Sequence, residues 1–469
     1  MSTTNPLSSL STSLGTSTSG TTSGTGLGQG INVQQFVQFA LSSQEATITN
    51  LQNQQSSLTS QNGEISTIQS DLTALNNAAS ALSDPLGVFN SQTASSSNDS
   101  VSATADGTAA AGTHSISVTN LATTASWYTD PVATSSTALA TGDNIAISVG
   151  GTQVANLTID STNNTLDSLA TAINSSTTAV QATVINDASG SRLALVSNTT
   201  GAPGDISVTG TLHQASNNAA VNFNQAVKGI NAAFAVDGVP VSSASNNVTG
   251  IIPGVTLNLA APTVVNGVDT PATVTVASDT SQVSTAINNL VSAYNTLTNE
   301  INSQFQVSSS GVANGVLEND DTLRQVQSLL LSAITYSVPG NNGIVNLASI
   351  GVNSNNDGTL SVDNATLNNA LSTNFSAVQN LLQNSATGLA QNLNSIIQTI
   401  NAPSTGLLSL DAQGNASTNN DLNSQINDLQ ASLTVQEQQL TTVYSQVNTT
   451  LQELPLLENE TSQQLSGIA

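Results

Sequence analysis

The chain has 469 residues, with 3 Lys plus Arg against 28 Asp plus Glu, and so a formal net charge of −25. Only 7% of its residues are charged, against about 25% in an average domain, so Ser, Thr, Asn, Gln and Gly must cover most of the surface. Three cations do not neutralise a row of phosphates, which argues against nucleic acid and acidic membranes as partners. With no cysteine and two histidines, thiol catalysis, disulfides and cysteine or multi-histidine metal sites are excluded.

Residues 1–30 are Ser/Thr/Gly-rich low complexity and read as a flexible tail. They carry no basic n-region and no apolar h-region, so no Sec-type signal peptide is expected. No run of about 18 apolar residues follows anywhere.

The first periodic segment begins near Ile31. Its apolar positions are Leu41, Ile48, Leu51, Leu58, Ile65, Ile68, Leu72, Leu75, Ala79 and Leu82, separated by threes, fours and sevens. That spacing is a heptad seam on a long helix. Gly63 is expected to mark a bend, and Asp84-Pro85 with Gly87 to end the helix.

From Phe89 to about Ala277 the period changes to two. Val101–Ala105, Ser115–Leu121, Ile145–Val149, Val154–Ile159, Val180–Ile185, Leu193–Val196 and Ile206–Val208 alternate apolar and polar residues, as half-buried strands do. A short helix, marked by Leu166, Leu169, Ala170 and Ile173, sits among them. A second β group follows, with Asp237-Gly238 as a hairpin turn between Ala233–Val236 and Val239–Val241, then Val255–Leu259 and Ala272–Val276.

The helical period returns at Val283–Ile301, Leu323–Ile334 and Leu389–Ile400, with shorter elements between Leu347 and Leu382. A second heptad seam closes the chain: Ile426, Leu429, Leu433, Leu440, Val443, Val447, Leu451 and Leu454. Pro455 is expected to kink or end that helix. Neither long helix can bury its stripe alone, so the two terminal helices are expected to pair as a coiled-coil stalk, with the β modules inserted between them. The competing reading is two unrelated coiled-coil tails.

Chemistry is scarce. Asn353, Asn355 and Asp357-Gly358 resemble the start of a calcium loop, but Asn364 stands where its bidentate acid should be, so an Asx-rich turn is the better reading. Asp320-Asp321 reads as an N-cap before the run at Leu323, and Asp187–Gly190 as a hairpin turn. His114 falls in a predicted strand and His213 in a polar loop, and no Gly-X-Ser-X-Gly elbow or phosphate loop at Lys228 accompanies them. No catalytic residue, metal site or cofactor is expected, and the chain is read as a non-enzyme. Trp127-Tyr128 is weighed as an exposed partner anchor against a plug at a domain junction, and the plug is favoured because aromatics mostly bury. Tyr444, one position after Val443, reads as stalk packing.

At this point the residues carry a resemblance. Gly28-Gln-Gly30-Ile31-Asn32-Val33, the segment Leu75–Phe89, the strand Gly112–Val118 with Leu121-Ala122, Phe234–Gly238, Ile252–Leu257, Asp321–Arg324, and above all Leu347–Gly351 with Asp357–Asp363, are similar to the flagellar filament cap family, the FliD or hook-associated protein 2 family. Ile145–Leu195 resembles the repeat inserted in many flagellins and cap proteins. Asn32 replaces the family's usual Asp, and the stalk lacks its usual Lys and Arg.

The resemblance implies an α+β multidomain protein: terminal helices paired as a coiled-coil stalk, a helical leg domain and inserted β-rich head domains. The expected division is a tail (1–30), N-terminal stalk and leg helices (31–88), the first part of an inner head (89–130), an outer head (131–221), the second part of the inner head (222–278), a helical leg domain (279–420) and a C-terminal stalk helix (421–469). It also implies a homo-oligomeric ring at the distal filament tip that promotes folding and insertion of exported flagellin. Its partners would be itself, flagellin, hook–filament junction proteins and a flagellar export chaperone. It implies export by the flagellar type III apparatus without a cleaved signal, and neither nucleic acid nor membrane insertion. The self-association residues are expected to be Leu41, Ile48, Leu51, Leu58, Ile65, Ile68, Leu72 and Leu75 with Ile426, Leu429, Leu433, Leu440, Val443, Val447 and Leu451. The alternatives are another axial protein, such as a flagellin or junction protein, or a surface adhesin.

Overall fold

The structure is a computed structural model and describes residues 32–306 and 315–466. The expected tail and the motif residues Gly28 to Ile31 lie outside them. The helices are α1 (Val33–Ser83), α2 (Leu166–Ser176), α3 (Thr280–Gln304), α4 (Asp321–Ile334), α5 (Asn364–Thr373), α6 (Phe375–Gln383), α7 (Leu389–Asn401) and α8 (Leu407–Ser466). The strands of the first β group are β1 (Gln92–Ser96), β2 (Val101–Ala105), β3 (Gly112–Asn120), β4 (Thr124–Thr129), β5 (Asn144–Val149), β6 (Thr152–Thr158), β7 (Val180–Asp187), β8 (Gly190–Thr200) and β9 (Ile206–Gly210). They continue with β10 (Phe223–Val227), β11 (Ala232–Val236), β12 (Val239–Ser243), β13 (Asn247–Ile252), β14 (Val255–Leu259), β15 (Val264–Val265), β16 (Val268–Asp269), β17 (Ala272–Ser278), β18 (Val352–Ser354) and β19 (Leu360–Val362).

Two compact units result. The first holds the chain up to Thr73, Leu297–Leu329 and the chain from Ile397 onward. Here α1 and α8 run antiparallel: Phe36 meets Tyr444, Gln55 bonds the carbonyl of Asn419, and Gln69 bonds Ser409.

α1 continues without a break through Gly63 as one 51-residue helix. A mid-helix glycine costs only about 1 kcal/mol against Ala, while complete burial of a side chain such as Ile65 or Ile68 contributes about 1.5–3 kcal/mol. α8 begins at Leu407 instead of 421 and carries Pro455 inside it to Ser466. Leu454, Leu456 and Leu457 around that proline are exposed.

The second unit, Ala74–Thr296 with Leu330–Ile396, contains both heads. In the inner head the sheet β1-β17-β3-β11-β12 and the sheet β13-β14-β2 enclose an apolar core that includes Val101, Ile116, Val118, Phe234, Leu257 and Val274. In the outer head, α2 packs with the sheets β10-β4-β8-β7 and β6-β5-β9 around Ile145, Ile147, Leu166, Leu169, Ile173, Leu193 and Leu195. Asn174 docks α2 to β7, donating to the carbonyl of Ala182 at 2.8 Å and accepting its N–H at 2.7 Å.

The expected head boundaries at 131 and 221 shift. β4 and β10 pair with each other, and Ala125, Trp127 and Phe223 pack into the outer core, so the outer head runs from about Thr124 to Val227. Neither strand shows a clean alternation of apolar and polar residues, which hid both from a period-two reading.

The segment with the most specific family motif is a nest of caps. Asn346 caps the short turn Leu347–Ile350, accepting from Ser349 N while Ser349 Oγ receives the Asn346 N–H. Gly351 sits at φ +87°, where a Cβ would lie 2.8 Å from the carbonyl of Asp363, and Asp363 caps α5 through the N–H groups of Ala365 and Thr366. Asp357 accepts from Thr359 N and Oγ1 in the β18–β19 turn, so the calcium-like triplet is an Asx turn. Asn295 completes the free edge of β19, donating to the Leu360 carbonyl at 2.8 Å and accepting its N–H at 2.6 Å.

Candidate functional site: the helical stalk

The predicted self-association residues fall into three groups. Leu41 and Ile48 on α1 are buried with Ile426 and Leu433 on α8 in one cluster, with Leu51, Leu429 and Leu440 partly buried against it. Further along α1, Ile65, Ile68, Leu72 and Leu75 are wholly buried, while Leu58 is half-buried. Val443 and Val447, by contrast, are 53% and 43% exposed, and Leu451 is half-buried.

The split has a local cause. At the level of Phe36 the seam moves one position, and Tyr444 takes the inward place, its ring 5.8 Å from that of Phe36. Val443 is thereby turned to the outer face, together with Val435 on the same stripe, which is 54% exposed. The sequence reading also missed Val37, 5% exposed, although it stands one turn before Leu41. Asn32 holds the start of α1, its Oδ1 accepting from Gln35 N at 3.3 Å.

Beside this apolar seam, the polar contacts that α7 and α8 make to α1 are amides and hydroxyls, with no ion pair among the described residues. Gln69 Nε2 donates to Ser409 Oγ at 3.2 Å, and Asn401 Nδ2 donates to the Gln69 carbonyl at 3.1 Å. Both line a shallow polar groove of about 550 Å³ with Ser66, Thr73 and Gln413. Deeper in the same unit, Gln304, 4% exposed, offers one amide N–H₂ to both Glu300 and Glu64, at 3.1 and 3.5 Å. Burial and the neighbouring Glu300 carboxylate push Glu64 and Asp71 above their ordinary values. Asp411, on the first turns of α8, is pushed up to about 6 by burial and by Asp320. Asp320 itself caps α4, accepting from Leu323 N at 3.0 Å. Arg324, the one fixed cation of this unit among the described residues, lies 4.9 Å from the Phe305 ring and donates to the carbonyl of Glu318.

The heads hold the residues weighed for chemistry. His114, in β3, contacts Asp237 at 2.8 Å, and His213 contacts Asp143 at 3.1 Å. Trp127 is part of the outer core and donates its indole N–H to the Ile206 carbonyl at 2.8 Å. It plugs the outer head itself rather than a junction between heads. Tyr128, its neighbour, points the other way and is 37% exposed under the Arg192 guanidinium, 5.6 Å from the ring centre. Among the described residues no helix is long and apolar enough to cross a membrane.

Residues 29–125 match the family model for the flagellar hook-associated protein 2 N-terminus, and residues 229–455 match that for its C-terminus. The B-type flagellar hook-associated protein 2 of Pseudomonas aeruginosa is 35% identical over 355 residues, 70% of this chain and 72% of that one. The flagellar hook-associated protein 2 of Escherichia coli K12 is 30% identical over 364 residues, 73% of this chain and 76% of that one. Among solved structures, the D1-D2-D3 domains of the E. coli flagellar cap protein FliD superpose with a TM-score of 0.54 at 30% identity, covering 75% of this chain and 99% of that one. Antiparallel terminal helices, β-rich heads inserted between them, and these matches over most of the chain place it in one family: the protein belongs to the flagellar hook-associated protein 2 family of filament cap proteins.

Proposed function

We propose that this chain caps the distal end of a flagellar filament as a ring of identical subunits, and that the ring promotes folding and insertion of exported flagellin. The observation that carries the reading is the stalk. α1 and α8 pair through Leu41, Ile48, Ile426 and Leu433, yet α8 keeps a second, outward apolar stripe at Val435, Val443, Val447 and Leu454. An unpartnered stripe on a rod next to a buried one is what a subunit needs if it must fold alone and then pack against neighbours or the filament end. Polar, charge-poor contacts suit a part that must detach and reattach with each added subunit. Export through the flagellar type III apparatus, and leg and head domains divided near the boundaries given above, belong to the same proposal.

The test is a clean deletion of the gene in its own organism, with the medium assayed for flagellin and the cells imaged. Secreted flagellin monomer with bare hooks is expected, and a chain truncated at residue 420 should reproduce it. Normal filaments would overturn the reading and bring the adhesin or accessory role forward.

A further inference from the structure

The chain joins asparagine to glycine four times, at Asn62, Asn266, Asn314 and Asn342. Each such link carries its own electrophile and nucleophile: the side-chain amide carbon, and the backbone nitrogen of a next residue that has no Cβ to shield it. The fold decides whether the two can meet. Asn314 lies outside the described residues. Asn62 sits within α1, where the helical ladder holds the Gly63 N–H and Asn62 Oδ1 is buried.

Asn266 and Asn342 are placed otherwise. They stand at φ 51° and 49°, and the glycines after them at 79° and 82°, the positive pair that a type I′ turn requires. The bond that closes such a turn comes from its fourth residue. Ile344 N donates to the Asn341 carbonyl at 2.9 Å, and Val268 pairs with Val265 across the β15–β16 hairpin. Both asparagines and both glycines are exposed. Among the described residues, neither asparagine side chain and neither glycine N–H has a hydrogen-bond partner. The other two non-glycine residues at positive φ, Asn218 and Asp237, show the contrast. Asn218 precedes Ala219, whose N–H donates to Asn217 Oδ1 at 3.0 Å. Asp237 is held by Ser115 N and His114, each at 2.8 Å.

We infer that Asn266 and Asn342 are sites of spontaneous deamidation. The Gly267 nitrogen bonds to Asn266 Cγ, the Cγ–Nδ2 bond breaks, and ammonia leaves with the proton that the glycine nitrogen gave up. Water then opens the cyclic imide at one of its carbonyls, giving aspartate or the β-linked isomer. Water is the only co-reactant. Each event adds a carboxylate to a chain already at −25. The β-linked product also adds a methylene to the backbone, and β15 and β16 are two residues each, too short to hold register around a longer turn. The two sites differ in restraint. At Asn342 the turn is pinned, because Asn341 Nδ2 donates to the Ile344 and Ala377 carbonyls at 2.8 and 2.7 Å and Ile344 is buried. At the hairpin tip Val265 and Val268 are 58% and 66% exposed. Asn266 should therefore convert first. The inference stands whether or not the chain is a cap.

The full chain is incubated at neutral pH, folded and in urea, and each Asn-Gly peptide is followed by mass spectrometry after proteolysis. In urea Asn62, Asn266 and Asn342 should convert at similar rates, since every nucleophile is a glycine nitrogen. In the folded chain Asn266 should lead and Asn342 follow, with Asn62 at least about tenfold slower because its helix must open first. Asn266→Gln, whose side chain would have to close a larger ring, should remove the leading acidic form on ion exchange and keep the later one. Folded-state conversion of Asn62 as fast as that of Asn266 would show that the fold does not select the site, and overturns the inference. An Asn266 that stays an amide in the folded chain while it converts in urea overturns it too, because the turn would then be a shield.

Discussion

Trp127 and Tyr128 are adjacent in sequence and opposite in role. One ring fills the outer core and bonds the Ile206 carbonyl; the other lies open under Arg192. Strand alternation is the cause, and no feature of the dipeptide itself says which ring goes in. The indole bond makes a residue-level prediction. Trp127→Phe removes the N–H donor together with the second ring of the indole, so the outer head should lose at least the about 1 kcal/mol of the hydrogen bond, whereas Trp127→Ala should lose about 3–5 kcal/mol by opening a cavity. Calorimetry on the two variants checks this; equal melting of Trp127→Phe and wild type would show that the hydrogen bond contributes nothing. The caps at Asn346 and Asp363 have the same character. The most specific sequence motif of the chain marks backbone groups that need partners, not a reactive site.

At the level of elements, the heptads made both stalk helices legible, because a three–four spacing has few other uses. What they left open was where the seam stops facing α1. That depends on a ring at Phe36 meeting Tyr444 rather than Val443, a shift of one position that a list of apolar spacings does not contain. The two faces predict different mutational costs. Ile48→Ala, inside the buried cluster, should destabilise the isolated chain by about 2–4 kcal/mol. Val443→Ala, on the open stripe, should stay within about 0.5 kcal/mol while impairing cap function in cells. Urea titration of both variants, paired with motility assays, separates them; a large loss for Val443→Ala would place it in the fold and not on an interface. Strands with clean alternation, such as Ile145–Val149 and Val255–Leu259, were legible for the same reason as the heptads. β4, β10 and the edge strand β1, with the sequence Gln-Thr-Ala-Ser-Ser, were not, since none of them alternates apolar and polar residues cleanly.

On the scale of the whole molecule, the carboxylates divide by unit. Those held below their ordinary values, including Asp130 by Asn222, Asp237 by His114 and Asp279 by Ser281, belong to the unit containing the heads. Those pushed up, Glu64, Asp71 and Asp411, belong to the stalk unit. Linkage then gives the two units opposite responses to acid. A depressed carboxylate stabilises the fold at neutral pH, and that contribution is lost as pH falls below 3.8 and through the folded value. A raised one stabilises most below its unfolded value, and that contribution is lost as pH rises; for Asp411 the window runs from 3.8 to about 6. Acidifying from pH 7 to 5 should therefore tighten the stalk and leave the heads unchanged, and only below pH 4 should the heads loosen. The single tryptophan, Trp127, lies in the outer core and reports the heads by fluorescence, while ellipticity at the helical band reports mainly the stalk. Melts followed by the two signals should move apart between pH 7 and 5, with the helical transition rising. Asp411→Asn should remove much of that rise, because its amide stays neutral throughout. Coincident shifts of both signals, or an unchanged slope in Asp411→Asn, would mean that the buried acids of the stalk do not set its response to protons.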